Sequence, residues 1–246
     1  MNKYLYLLSA LLVSTAIPAF AQVDTTAAAT SMATQQAVAV APAADPVMEQ
    51  ISALQSRWAE IKYQIPSDDA KIEAIHQLEE QAAKITAANP SRAEPKIWEA
   101  IILSTDAGIV KGMSALSKVE KAKVLLEAAD AINPNALEGS SHTSLGSLYY
   151  QVPGWPVGFG DDEKAEEHLK MALKINPNGI DPNYFYGDFL LQDDRPDEAK
   201  TYLERALMAP PRPGRELADA GRHQEIKVAL AKAGEKLKSG GKKELN

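Results

Sequence analysis

The chain has 246 residues, no cysteine and a formal charge of −7, from 26 basic and 33 acidic side chains. The lack of cysteine excludes disulfides, thiolate metal sites and thiol nucleophiles. The acidic balance argues against a broad nucleic-acid-binding face, which needs clustered Lys and Arg.

Lys3, the apolar run Tyr4 to Ile17, Pro18 and the triplet Ala19-Phe20-Ala21 have the form of an export signal, 1–21, cleaved before Gln22. The apolar run is short for a bilayer span, and no later stretch is long and apolar enough, so no membrane span is expected in the mature chain. The expected location is the periplasm, with release from the cell as the other outcome of export. Residues 22–46 are rich in Ala, Thr and Gln. They hold too little large apolar surface to offset the entropy of ordering, so a flexible linker is expected.

From Val47 the pattern changes. Met48, Ile51, Leu54, Trp58 and Ile61 recur at three- and four-residue spacing, which marks an amphipathic helix ending at Pro66. Ser67 is placed to cap a second helix carrying Ile72, Ile75, Leu78, Ala82 and Ile85. That helix stops at Asn89-Pro90. Similar stops recur at Pro134, Pro177 and Pro210, at spacings of 44, 43 and 33 residues. Such a period signals stacked helical hairpins, none of which can bury its apolar face alone.

Ala122, Leu126, Ala129 and Pro134 share their spacing with Ala165, Leu169, Ala172 and Pro177, and with Ala199, Leu203, Ala206 and Pro211. Leu145, Gly146 and Tyr149 fit the Leu-Gly-x-x-Tyr of a partner helix; Tyr186, Gly187 and Leu190 fit it loosely, and the stretch from Trp98 more loosely still. These motifs resemble tetratricopeptide repeats. The resemblance implies an all-α solenoid of hairpins over 47–212 that binds proteins rather than catalysing a reaction. Arg215 to Lys238 is expected as a final helix within a capping segment, 213–238, followed by a solvated tail, 239–246.

Gly187 to Ala199 spans 12 positions but Gly146 to Ala165 spans 19, which defines an insertion at 151–160 between two helices of one hairpin. The Trp98 unit is stretched as well, around Asp106 to Ser114. The middle unit, "LGSLYYQVPGWPVGFGDDEKA" (Leu145–Ala165), is also similar to exported helical-repeat proteins related to the T component of TRAP-type transporters. That resemblance covers Ala93 to Pro211 and implies an accessory role beside a periplasmic substrate-binding protein. The chain lacks the lipidation cysteine of the lipoprotein members.

No catalytic, metal or cofactor site is expected. His76, His142, His168 and His223 fall on four different helices, none in an H-E-x-x-H motif, and read as surface or half-buried. The serines of "EGSSHTS" (Glu138–Ser144) read as helix caps. "GFGDDE" (Gly158–Glu163) lacks the third glycine and the strand of a dinucleotide fingerprint; Asp161 reads as an N-cap. Asp181-Pro182 reads as a cap followed by an N1 proline. "QDDRPDEA" (Gln192–Ala199) lacks the alternation of a calcium loop.

Twelve aromatic residues follow the signal, and eight lie between Tyr149 and Phe189. Tyr149, Tyr150, Trp155, Phe159, Tyr184 and Tyr186 are the candidate binding residues. They have two readings: core packing, or an aromatic wall on the concave face where first helices lie side by side. The expected partner is a periplasmic protein or peptide held as on a scaffold. The alternative is a small apolar ligand, for which these six side chains should enclose a pocket. Sequencing the N terminus of the exported chain should read Gln-Val-Asp; a chain that keeps Met1 contradicts the signal.

Overall fold

Ala122, Leu126, Ala129 and their two repeats, nine side chains in all, are fully buried, and they set the architecture. In each triplet the small residues let a second helix approach the helix before it, and the leucine fills the space between them. The structure, a computed structural model, describes residues 45–110 and 112–243. The expected signal and residues 22–44 of the expected linker lie outside the described residues.

Among the described residues the elements are α1 (Pro46–Gln64), α2 (Asp68–Ala88), α3 (Ala93–Val110), α4 (Met113–Ile132), a 3-10 turn (Ala136–Glu138), α5 (Ser140–Gln151), α6 (Asp162–Ile175), α7 (Ile180–Gln192), α8 (Pro196–Leu207) and α9 (Glu216–Lys243). The helices pair in chain order as α1/α2, α3/α4, α5/α6 and α7/α8. The fold is all-α, a short solenoid of hairpins closed by a last helix. The Asn-Pro stops act as expected: Asn89, Asn133 and Asn176 are the C-caps of α2, α4 and α6, and a proline follows each. Ser67 caps α2 and Asp161 caps α6, each accepting a backbone N–H.

Several details differ from the expectation. Asp45 and Pro46, placed by sequence in the linker, are the N-cap and first residue of α1, and Asp45 is held by Arg92 at 2.9 Å. The extra residues of the Trp98 unit form no separate lobe. They lengthen α3 and α4 to 18 and 20 residues, with Gly108 inside α3 and the break at Gly112, whose φ is +82°. Asp181 is not a cap; Gly179 holds that place, and Asp181 is the second residue of α7. The serines after Gly139 do not cap α5 either: Ser141 Oγ donates to Asp130 and Ser140 Oγ to the Leu137 carbonyl. α9 continues to Lys243, past the expected end at Lys238.

The insertion expected at 151–160 lies in the loop 152–161, since Gln151 still belongs to α5, and this loop folds on itself. Gly160 N–H donates to the Pro153 carbonyl at 3.0 Å, Gly154 and Gly160 pair as an isolated bridge, and Asp161 N–H returns to the Tyr149 carbonyl at 2.9 Å. The Trp155-Pro156 peptide is cis.

Two glycines mark where helices touch. A Cβ on Gly146 would lie 2.5 Å from Leu169 Cγ, and Gly187 meets Leu203 in the same way one hairpin later. On α9, a Cβ on Gly221 would collide with the ring of Tyr63 on α1. The last helix therefore packs on the first as well as on α7 and α8, and Ala218 joins the core cluster of Ile51, Leu54, Trp58 and Trp98. Gly146→Val and Gly221→Val should each lower stability by about 1–3 kcal/mol through overpacking. Chemical denaturation measures this; a Gly221 variant as stable as the parent contradicts the closure of α9 on α1.

Candidate functional site

α1, α3, α5 and α7, the first helices of the four hairpins, stand next to one another in sequence order. With the closing helix α9 they surround a cavity of about 960 Å³ that is partly open to solvent. Periodicity explains the lining. The second helices turn their Ala-Leu-Ala triplets toward the first helices, so the opposite side of each first helix is left to face the interior of the array.

One wall is aromatic. Trp58 of α1 and Trp98 of α3 meet edge to face at 5.8 Å, and Trp58 Nε1–H donates to Thr105 Oγ1 at 2.8 Å. Tyr63 packs edge-on against Trp58 at 5.9 Å, and the Lys62 ammonium lies over both rings. Across the cavity Tyr184 and Phe185 of α7 carry the Arg222 guanidinium at 4.4 and 4.7 Å from their ring centres. The middle of the wall is polar and small: Ser140, Thr143, Ser144 and Ser147 of α5.

The charged end of the cleft is a network centred on Asp181. Arg222 Nε donates to its Oδ1 at 2.8 Å and Arg212 Nη1 to its Oδ2 at 2.7 Å. Arg212 also binds Asp219, Arg222 binds Glu225 at 2.5 Å, and Glu225 accepts from Lys62 of α1 at 2.9 Å. Burial alone would raise the Asp181 carboxyl, but the Arg222 and Arg212 guanidinia hold it well below the usual carboxylate range. Burial pushes the Tyr184 phenol up to about 12, partly opposed by Arg222. Burial, reinforced by Arg222, pulls Lys62 down, against the opposing pull of Glu225.

Of the six aromatic residues singled out by sequence, only Tyr184 lines this cleft. Tyr149 is buried between the ring of His168, stacked at 5.6 Å, and Phe159, edge-on at 5.7 Å. Tyr150 is buried and donates to Asp188 Oδ2 at 2.8 Å, tying α5 to α7. Tyr186 is buried against Tyr202 and donates to Glu166, whose carboxyl is lowered to about 2: burial opposes the shift, and Arg195, Lys170 and Tyr186 cause it. Trp155 stands 90% exposed at the tip of the insertion. The six do not form one wall and do not enclose a pocket together. Sequence reasoning passed over Trp58, Trp98, Arg212, Arg215 and Arg222. The three arginines within eleven positions of an acidic chain were the available signal.

Two polar clusters lie outside the cleft. His142 Nε2 meets Asp130 at 3.1 Å and its Nδ1 meets His168 Nδ1 at 3.0 Å, so two histidines read as separate are a pair, with His142 buried. Burial and the neighbouring His142 ring lower His168. In the first hairpins the buried Asp106 lies 2.5 Å from Lys118 and 3.2 Å from His76, and Lys118 also binds Glu79.

A tetratricopeptide-repeat family model matches residues 158–221, which hold all of α6, the last hairpin and the start of α9. Among solved structures the chain is similar to a thermophilic tetratricopeptide-repeat protein of Thermus thermophilus, at 16% identity, covering 73% of this chain and 99% of that one with a TM-score of 0.49. No curated protein matches the chain.

Asp181→Asn should cost about 3–5 kcal/mol at neutral pH, because it leaves the buried Arg222 and its neighbour Arg212 without their shared carboxylate. The folded state holds Asp181 ionised below the unfolded value near 4. Its contribution is therefore complete above about pH 4 and is lost as pH falls further. Denaturation curves at pH 7 and pH 3 should show the variant losing less stability on acidification than the parent. A variant within about 0.5 kcal/mol of the parent at pH 7 contradicts this role.

Proposed function

We propose that the protein is a non-enzymatic binding module that holds a segment of another protein in the cleft between α1, α3, α5, α7 and α9, and that it does so outside the cytoplasm. The cleft itself carries the reading: about 960 Å³, lined by Trp58, Trp98, Tyr184 and Phe185 and by the hydroxyls of α5. That volume exceeds what a single side chain fills and suits a short peptide segment. Tyrosine, tryptophan and arginine are the side chains that most often dominate the energy of protein interfaces, and all three line it. The tetratricopeptide-like hairpins support the same reading, since such repeats present a continuous inner surface to a partner. Location outside the cytoplasm rests on the signal-like residues 1–21.

A small-ligand carrier, or a transport accessory resembling the TRAP T component, is the second reading. The enclosed position of Trp58 and Trp98 favours it, because both rings are buried yet border the cavity.

Peptide-display selection against the purified protein separates these. Ser144→Trp on α5 should fill the cleft without disturbing the hairpin cores, since Ser144 is half-buried and faces the cavity. Selected peptides should lose at least about tenfold in affinity on Ser144→Trp and bind Trp155→Ala unchanged. Peptides that bind the Ser144 variant as well as the parent would place the binding surface elsewhere.

A further inference from the structure

The charged end of the cleft is not neutral. Lys62, Arg212, Arg215 and Arg222 face Asp181, Asp219 and Glu225, so four cations meet three carboxylates. Lys62, Arg212 and Arg222 each lie within 3 Å of a carboxylate oxygen. Arg215 has none within 4 Å among the described residues. Its guanidinium lies 5.1 Å from the Trp98 ring centre, and its Nε is shielded from solvent with no hydrogen-bond partner. A buried guanidinium donor left unmade costs on the order of 1–3 kcal/mol, more when charged. Its three cationic neighbours are all paired, so the unmet donor is particular to Arg215.

We propose that Arg215 is the anchor of an anion subsite in the cleft, taking a carboxylate carried on an apolar body. The charge argues for a monoanion: one unit of positive charge is uncompensated, and a phosphate dianion would overshoot it and meet Asp181 and Asp219 nearby. The fork of guanidinium donors matches a carboxylate in two parallel hydrogen bonds. The apolar part is set by what stands beside the anchor. Trp98 lies under the guanidinium, Ile101 is one turn further on α3, and Trp58 meets Trp98 edge-on. Burial and the neighbouring Arg212 lower the Arg215 pKa, against the opposing pull of Asp181 and Asp219, neither of which comes within ion-pair distance of it. Arg215 sits just before α9, so the subsite depends on α9 packing against α1, which brings the residue preceding it over Trp98.

The subsite rests on the cleft being the binding surface and names the chemistry it selects. One carboxylate chemistry has two sources: the acidic or C-terminal group of a bound protein segment, or a free carboxylic acid. Titration calorimetry of the full chain with N-acetyl-leucyl-leucine as the free acid, with the same dipeptide as its C-terminal amide, and with octanoate distinguishes them. The free-acid dipeptide should bind at least about tenfold more tightly than the amide. Arg215→Gln should abolish that difference, Arg215→Lys should keep part of it, and added salt should shrink it. Binding of octanoate but not of the dipeptide, dependent on Arg215, supports the anchor and sinks the protein-segment reading. Equal binding of acid and amide overturns the anchor while leaving the cleft reading intact. Failure of both acids to bind, or full binding by Arg215→Gln, also overturns the anchor. Should Arg215→Gln fail to fold, the acid-to-amide ratio in the parent and in Arg215→Lys decides.

Discussion

Asp181 is the constraint on which the rest of the cleft depends. One carboxylate at the start of α7 accepts from Arg222 on α9 and from Arg212 in the preceding loop. Each guanidinium then reaches a second acid, and Glu225 passes the chain of charges on to Lys62 of α1. In a low-dielectric setting such a network is costly unless every member is satisfied. It therefore fixes where α9 lies rather than merely adding stability. Beside it, the bare Cα of Gly221 against Tyr63 allows α9 and α1 to touch. Ionic pairing and close packing together turn an open row of hairpins into walls around a cavity.

The hairpins supply the other half of the geometry. Gly146 against Leu169 and Gly187 against Leu203 bring first and second helices close, with the alanine positions of the triplets fully buried. Because that side of each first helix is spent on the hairpin core, the opposite side is free to carry serines, tryptophans and Tyr184 into the cleft. The outward helices are amphipathic by the same logic. They leave scattered apolar side chains such as Val124 and Met171 exposed, and single exposed apolar residues need no special role.

The aromatic concentration between Tyr149 and Phe189 turned out to serve several different contacts. Phe159 and His168 clamp Tyr149; Tyr150 and Tyr186 spend their hydroxyls on Asp188 and Glu166. A buried tyrosine needs a partner for its hydroxyl, and neighbouring helices provide those partners between repeats. The insertion holds its own backbone together and displays Trp155 without placing it in the cleft.

By itself the sequence determined the helical hairpins, the caps at Ser67 and Asp161 and the Asn-Pro stops. Each of these follows from contacts within a turn or between adjacent helices, and periodicity records such contacts directly. Only the tertiary structure decided that α9 meets α1, that Asp181 is an ionic hub rather than a cap, that His142 meets His168, and that Tyr184 alone of the six aromatic candidates faces the cleft. Those outcomes hang on the rotation of each helix about its axis and on side chains far apart in sequence, such as Tyr63 with Gly221 and Asp181 with Arg222. No local spacing encodes which of two buried directions an aromatic ring takes; the packing of all the helices together does.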